Sequence, residues 1–285
     1  MLQFEIIARG LFRQDQLRIA YDPTCRLAIT ADEQAWIDQC WQEKLVQAKQ
    51  SNNLLFDAPL YRYLSASVSA DREQLQLALS DTTYKEYATT RMAEFAAGRT
   101  RAELGSPLAV CSVVETSDAV ILLDQRQGVD VGNGRYHVIG GFVERGRDTI
   151  TDTLTGGPSA DPFAAMRREI REETGVREED ISTHECLGVA YDLENPHGEM
   201  LFLTRLNIPI ATVRQRTPED GEIKELHTLQ VTAESLRDFI LRYHGPYLST
   251  TGEPNLLLYG GWKFGTDWFE DMVKHLSLET KARRR

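Results

Sequence analysis

The string Arg168-Glu169-Ile170-Arg171-Glu172-Glu173-Thr174-Gly175-Val176 constrains this chain more than any other stretch. On a helix, residues three and four apart are neighbours, so Glu169 lies beside both Glu172 and Glu173. Three carboxylates that close repel one another unless a cation sits among them. Hard cations such as Mg2+ take oxygen ligands from a few carboxylates and from substrate phosphates, so the cluster predicts metal-dependent phosphate chemistry. The competing account is a solvated helix held by Arg/Glu pairs. The helix itself is well marked: Asp161 can cap it, Pro162 suits the first helical position, and Gly175 suits a left-handed stop. Met166 and Ile170 supply a buried stripe, and Arg168 can hydrogen-bond and orient its acidic neighbours.

Upstream, Tyr136-His137-Val138-Ile139-Gly140-Gly141-Phe142-Val143-Glu144-Arg145-Gly146 is an apolar strand running into a glycine turn. Together with the acidic helix, this segment resembles the signature of the Nudix hydrolase superfamily. That signature runs glycine, five residues, glutamate, seven residues, then Arg-Glu-apolar-x-Glu-Glu-x-Gly-apolar. The second half matches at every fixed position. In the first half, counted from Gly141, Arg147 stands where the glutamate is expected. The 27 positions from Gly141 to Arg168 exceed the pattern by about 13 residues, an insertion near 148–160. Within it, Gly156-Gly157-Pro158-Ser159 reads as an exposed turn.

Further landmarks narrow the resemblance. Leu55-Phe56-Asp57-Ala58-Pro59-Leu60-Tyr61-Arg62, Thr83-Tyr84-Lys85-Glu86-Tyr87, Ser106-Pro107-Leu108, Val114-Glu115-Thr116-Ser117-Asp118 and Leu187-Gly188-Val189-Ala190 look like the successive landmarks of the UDP-sugar diphosphatase group of animals and its plant relatives. Members of that group carry a dedicated N-terminal domain and a long insertion after the Gly-Gly. The resemblance spans residues 54–228.

The resemblance implies an α/β/α sandwich with its acids at the mouth of a cleft, and hydrolysis of UDP-glucose or UDP-galactose to UMP and a sugar 1-phosphate. A diphosphate repels an attacking hydroxide, so such a site must neutralise phosphate charge and generate its nucleophile near neutral pH. By resemblance, Glu169, Glu172 and Glu173 would hold Mg2+ or Mn2+, Arg168 would keep the cluster in shape, and Glu222 would add a later acid. Glu219, Asp220 and Glu225 lie close to Glu222, and a plain surface loop is the alternative there. Gly140 and Gly141 would lie against substrate, and Asp57 and Arg62 could reach a sugar or phosphate, with an interdomain salt bridge as the alternative. Glu144 and Asp148 could act on the metal through water or simply be solvated. His137 reads as packed or solvent-facing rather than as a base. Another nucleoside diphosphate compound, or a non-catalytic nucleotide-sensing module, are the other functions weighed.

Composition agrees with an enzyme of small molecules. At 285 residues and 26% charged, the chain is sized for one large domain or two modest ones. Its net charge of -11 argues against a nucleic-acid surface. No apolar run reaches the ~20 residues that span a bilayer, and the N-terminus lacks a basic leader, so a cytoplasmic location is expected. Cys25, Cys40, Cys111 and Cys186 show no C-x-x-C spacing and are expected as reduced thiols, Cys111 in a buried strand.

The expected fold class is α+β. An N-terminal α+β domain is expected over 1–103, the Nudix domain over 104–280, and a basic tail over 281–285. In the first, strands are expected at 2–9, 17–21, 60–69 and 74–79. Thr30-Ala31-Asp32-Glu33 marks a capping box for a helix through about 49, and 84–97 reads as a second helix. In the second, strands are expected at 108–115, 119–124, 136–139, 187–193, 200–208 and 226–231. Helices are expected at 235–244 and from near Trp262 or Trp268.

Overall fold

The computed structural model describes residues 2–51, 53–126, 133–152, 156–219 and 225–282. Strand β1 (Phe4–Phe12) buries Phe4, Ala8 and Phe12. After it come β2 (Leu17–Tyr21), α1 (Ala31–Gln50), β3 (Pro59–Val68), β4 (Leu75–Thr83), α2 (Tyr84–Thr90) and α3 (Ala93–Ala96). Helix α1 starts on the expected capping box: the Thr30 hydroxyl accepts from Glu33 N–H and the Glu33 carboxylate accepts from Thr30 N–H at 2.7 Å. The helix expected over 84–97 is two short ones, because Met92 turns to an extended conformation between them.

The remaining elements are β5 (Leu108–Glu115), β6 (Val120–Gln125), β7 (Tyr136–His137), β8 (Ile139–Phe142), β9 (Thr149–Thr151), β10 (Pro158–Ala160), α4 (Pro162–Thr174), β11 (Ile181–Asp192), β12 (His197–Leu206), α5 (Ile210–Val213), β13 (Leu226–Gln230), α6 (Ala233–Tyr243), α7 (Gly252–Phe264) and α8 (Thr266–Ala282). The main sheet runs β1-β11-β12-β5-β6-β13, with β8 paired to β5 and β7 to β6. Strand β12 is parallel to β5 and the other pairs are antiparallel, so the sheet is mixed.

Alternate residues of a strand point to opposite faces, and here both faces are covered. Val110, Val114, Met200 and Phe202 pack against Phe163, Met166 and Ile170 of α4. Cys111, Val113, Leu201 and Leu203 pack against Leu236 of α6, Leu256 of α7 and Leu276 of α8. This is the helix/sheet/helix sandwich of the expected α+β class.

The N-terminal segment shares a core with the rest of the chain: β1 pairs with β11, and Tyr61, Tyr63, Leu75, Leu77 and Leu79 of the small sheet β2-β4-β3 join the cluster beneath α4. The structure departs from the sequence expectations in two places. The expected turn at 156–159 instead feeds β10, whose Ser159 and Ala160 are buried and pair with Ile150 and Thr149. Helix α8 begins at Thr266, beside Trp268 as expected, but the helix α7 before it was not expected, in a stretch whose Pro254, Gly260 and Gly261 disguise a helix. The glycines are needed there, since a Cβ on Gly260 would lie 2.1 Å from the Trp268 ring of α8. Residues 283–285 of the basic tail lie outside the described residues. Among the described residues, no helix is long and apolar enough to cross a membrane.

Candidate metal-binding active site

Helix α4 forms as its flanking residues dictate. The Asp161 carboxylate accepts from Ala164 N–H at 3.0 Å, Pro162 sits in the first turn, and Gly175 closes the helix at φ 71°. Both ends therefore satisfy backbone groups that would otherwise be orphaned. The acids Glu169, Glu172 and Glu173 are 8%, 9% and 8% exposed, so they are not a solvated face.

Buried carboxylates need compensation, and Arg168 supplies it. Its Nε and Nη2 donate to the two oxygens of Asp148 at 2.9 and 2.8 Å, the fork geometry that a guanidinium suits best. Its Nη1 donates to Glu169 at 2.7 Å and to Glu172 at 3.1 Å, and Nη2 also reaches the Phe142 carbonyl at 3.1 Å. Burial alone would weaken the guanidinium's hold on its proton, but the Asp148 hydrogen bonds and the charges of Glu169, Asp148 and Glu172 outweigh it and raise its pKa.

Asp148 is the residue that sequence reasoning undervalued. It is 4% exposed, and besides Arg168 it accepts from Glu144 N–H at 2.8 Å. Its own carbonyl accepts from Asp161 N–H at 2.8 Å, which joins the two ends of the insertion. The β9–β10 hairpin thus leaves and returns at one point, and the loop meets the helix as if the hairpin were absent. The signal lay one position past the expected glutamate. Arg147, which occupies that position, turns to the acids from outside: its guanidinium binds the Glu172 carboxylate closely and stands 3.7 Å from Glu144. Its side chain is 47% exposed.

Gly141 is required by the acids. A Cβ there would lie 2.5 Å from a Glu169 carboxylate oxygen, and one on Gly140 would lie 2.3 Å from the Val110 carbonyl. Only glycine lets the strand pass so close beneath the helix.

Other expected site residues have different work. Arg62 is 3% exposed and donates to the carbonyls of Leu104, Cys25 and Ala102, so it straps chain segments together instead of facing a phosphate. Asp57 accepts from Lys85 N–H at 2.8 Å, at the start of α2. His137 is packed, with Nδ1 2.6 Å from Ser249 Oγ. Glu222 lies outside the described residues. Its neighbour Glu219 is tied to α4, accepting from Arg171 Nε at 2.9 Å and donating N–H to the Glu172 carbonyl at 2.9 Å.

The donor set on α4 is all oxygen, buried, and carried by a rigid helix, which fits a hard divalent cation such as Mg2+ or Mn2+. Glu169, Glu172 and Glu173 would hold it.

Residues 105–244 match the model of the NUDIX domain. No curated protein matches the chain. Among solved structures, the chain is similar to a bifunctional NMN adenylyltransferase/ADP ribose pyrophosphatase from Francisella tularensis, at 13% identity and TM-score 0.39, over 61% of this chain and 45% of that one. It thus spans less than half of that protein's length. A NUDIX hydrolase from Nitrosomonas europaea is 16% identical with TM-score 0.38, over 55% of this chain and 90% of that one. The NUDIX domain of Shewanella oneidensis NrtR, complexed with ADP ribose, is 15% identical with TM-score 0.37, over 60% of this chain and 97% of that one. These likenesses are too distant to bear on the site. The NUDIX domain match over residues 105–244 thus includes the whole of helix α4 with its buried acids.

Proposed function

We propose that this protein is a divalent-metal-dependent pyrophosphohydrolase acting on nucleotide sugars, UDP-glucose or UDP-galactose foremost, with UMP and a sugar 1-phosphate as products. One observation carries the hydrolase reading: Arg168, fixed by Asp148, aligns Glu169 and Glu172 on the buried turn that also bears Glu173. A helix serving only as surface would not bury three acids. The sugar nucleotide rests on the resemblance of the landmark segments from Leu55 to Ala190, and among the described residues no contact in the site selects uracil.

Bound Mg2+ or Mn2+ supplies two things, neutralisation of the diphosphate and a water acidic enough to attack near neutral pH. The chain does the rest. Glu169, Glu172 and Glu173 position the ion, and one carboxylate of the set accepts the proton of the attacking water. Arg168 holds its neighbours so that no reorganisation is needed as charge develops. Arg147, half exposed beside Glu172, offers a cation to an incoming diphosphate. Water adds to one phosphorus, the bond from that phosphorus to the bridging oxygen breaks, and the bridge leaves with the other phosphate.

A panel of UDP-glucose, UDP-galactose, ADP-ribose and a dinucleoside polyphosphate, assayed with Mg2+ and with products identified, tests the proposal. The expected result is fastest turnover of a UDP-sugar to UMP and sugar 1-phosphate. Turnover confined to ADP-ribose or the dinucleotide would keep the hydrolase and overturn the substrate. Binding of these compounds with no turnover of any would make the protein a nucleotide-sensing module.

A further inference from the structure

On the opposite face of the main sheet, beneath α7, lie three side chains that the hydrolysis above does not use: Cys111 of β5, His137 of β7 and Glu199 of β12. One candidate ligand atom from each, a thiol sulfur, a ring nitrogen and a carboxylate oxygen, lie within 4.8 Å of one another. The residues are 0%, 4% and 3% exposed. Register explains the convergence. Leu201 pairs with Cys111 and Glu199 is two residues before it on β12, so both side chains face α7, while β8, continuing from His137, pairs on the other edge of β5. Polar groups gathered in an apolar core cost free energy unless something there repays it.

Two of these side chains already have an orienting partner. His137 Nδ1 is 2.6 Å from Ser249 Oγ, which leaves Nε2 for an ion. Glu199 accepts from His197 Nε2 at 2.9 Å. Outer hydrogen bonds of this kind fix the ring and the carboxylate in protein metal sites. An independent observation comes from Asn255 at the start of α7, which is fully buried. Its Nδ2 donates to the Cys111 carbonyl at 3.0 Å and lies 3.4 Å from Cys111 Sγ, while its Oδ1 is buried with no hydrogen-bond partner. That leftover acceptor, on a side chain touching the sulfur, suits a water bound to an ion.

We propose that Cys111, His137 and Glu199 form a second metal site, for a borderline transition cation such as Zn2+, with a water as fourth ligand held by Asn255. Sulfur and imidazole donors select Zn2+ over Mg2+, whereas the all-oxygen set on α4 selects the reverse. A thiolate, a neutral imidazole and a carboxylate balance a dication. The ion would tie β5, β7 and β12 together under α7.

Because the ligands are enclosed, the full chain is refolded with Co2+ in Mg2+-containing buffer and dialysed. The expected result is about one retained Co2+ per chain with thiolate-to-cobalt charge-transfer absorption in the near ultraviolet. That absorption should vanish in Cys111→Ser and persist in Cys186→Ser, a buried thiol elsewhere, and in Glu173→Gln. Zn2+ should displace the Co2+ and raise Tm. Absence of the band in refolded wild type, or its survival in Cys111→Ser, overturns the site. Should Cys111→Ser fail to fold by circular dichroism, Glu199→Gln decides: it must weaken Co2+ binding at least ~10-fold, and unchanged affinity overturns the proposal.

Discussion

On the α4 face of the main sheet the buried charges come from one helical turn and the loop that anchors it, whereas on the α7 face they come from four separate segments of chain. The first cluster is Glu169, Glu172 and Glu173 with Arg168 and Asp148, all oxygen apart from the guanidinium. The second is Cys111, His137 and Glu199 with His197 and Asn255, sulfur, nitrogen and oxygen together. Both sit under helices that pack on β5, one on each face of the sheet. The difference shows two ways of making buried polarity tolerable: a helix concentrates like charges around one fixed counter-charge, and a sheet collects unlike donors by register.

The largest expected effect breaks the first cluster at its counter-charge. Arg168→Ala leaves Asp148 buried without its fork partner and is expected to cost about 3–5 kcal/mol in urea unfolding, the usual result of removing one side of a buried ion pair. A cost under about 1 kcal/mol would mean that the acids are held from elsewhere.

Next comes Glu173→Gln, which keeps size and removes a charge. We expect kcat to fall at least ~100-fold with Mg2+, the scale of losing one electrostatic group in a transition state, while Tm holds or rises. Near-wild-type turnover would move the metal off α4.

A further effect acts on the α4 face through pH. His184 packs under α4, stacked on Phe202 with ring centroids 5.0 Å apart. Burial, and then the charge of Arg167, push its pKa down to about 3 from 6.5. The unfolded chain takes up this proton near 6.5 and the folded one resists it, so the unfolded state binds more protons in between. This group's contribution is therefore whole above the ordinary histidine pKa and is lost as pH falls toward 3, by about 1.4 kcal/mol per pH unit. His184→Gln should flatten that part of the stability profile, and an unchanged slope would show that the proton loads elsewhere.

The smallest effect tests how α4 is started. Asp161→Ala removes the cap to Ala164 and the bond from Gln14 Nε2, 3.0 Å away, and is expected to cost about 1 kcal/mol by thermal unfolding. A cost much above 2 kcal/mol would show that the β1–β2 connection depends on this contact too.

Much of the α4 face was legible in the chain because its information is local. Caps, the Met166/Ile170 stripe and the acid spacing all lie within one helix, where neighbours in sequence are neighbours in space. Asp148 escaped because its role depends on the hairpin folding back to Asp161, which brings together residues that the insertion separates. Arg62 misled for a related reason: an arginine beside a landmark motif looks ready for phosphate, and only packing shows its donors turned to carbonyls of residues 25, 102 and 104. Helix α7 was hidden by its glycines, whose purpose appears only when α8 packs against them.

Residue order alone sufficed for the acidic helix, the strand-glycine approach and the mixed α+β character, since short-range periodicity and capping carry these. Whether the acids are buried or solvated, how a box with Arg147 in place of a glutamate still closes, and where Cys111 and Glu199 meet were decided by tertiary structure. Each depends on contacts between residues far apart in the chain, and no local pattern encodes the register that brings them together.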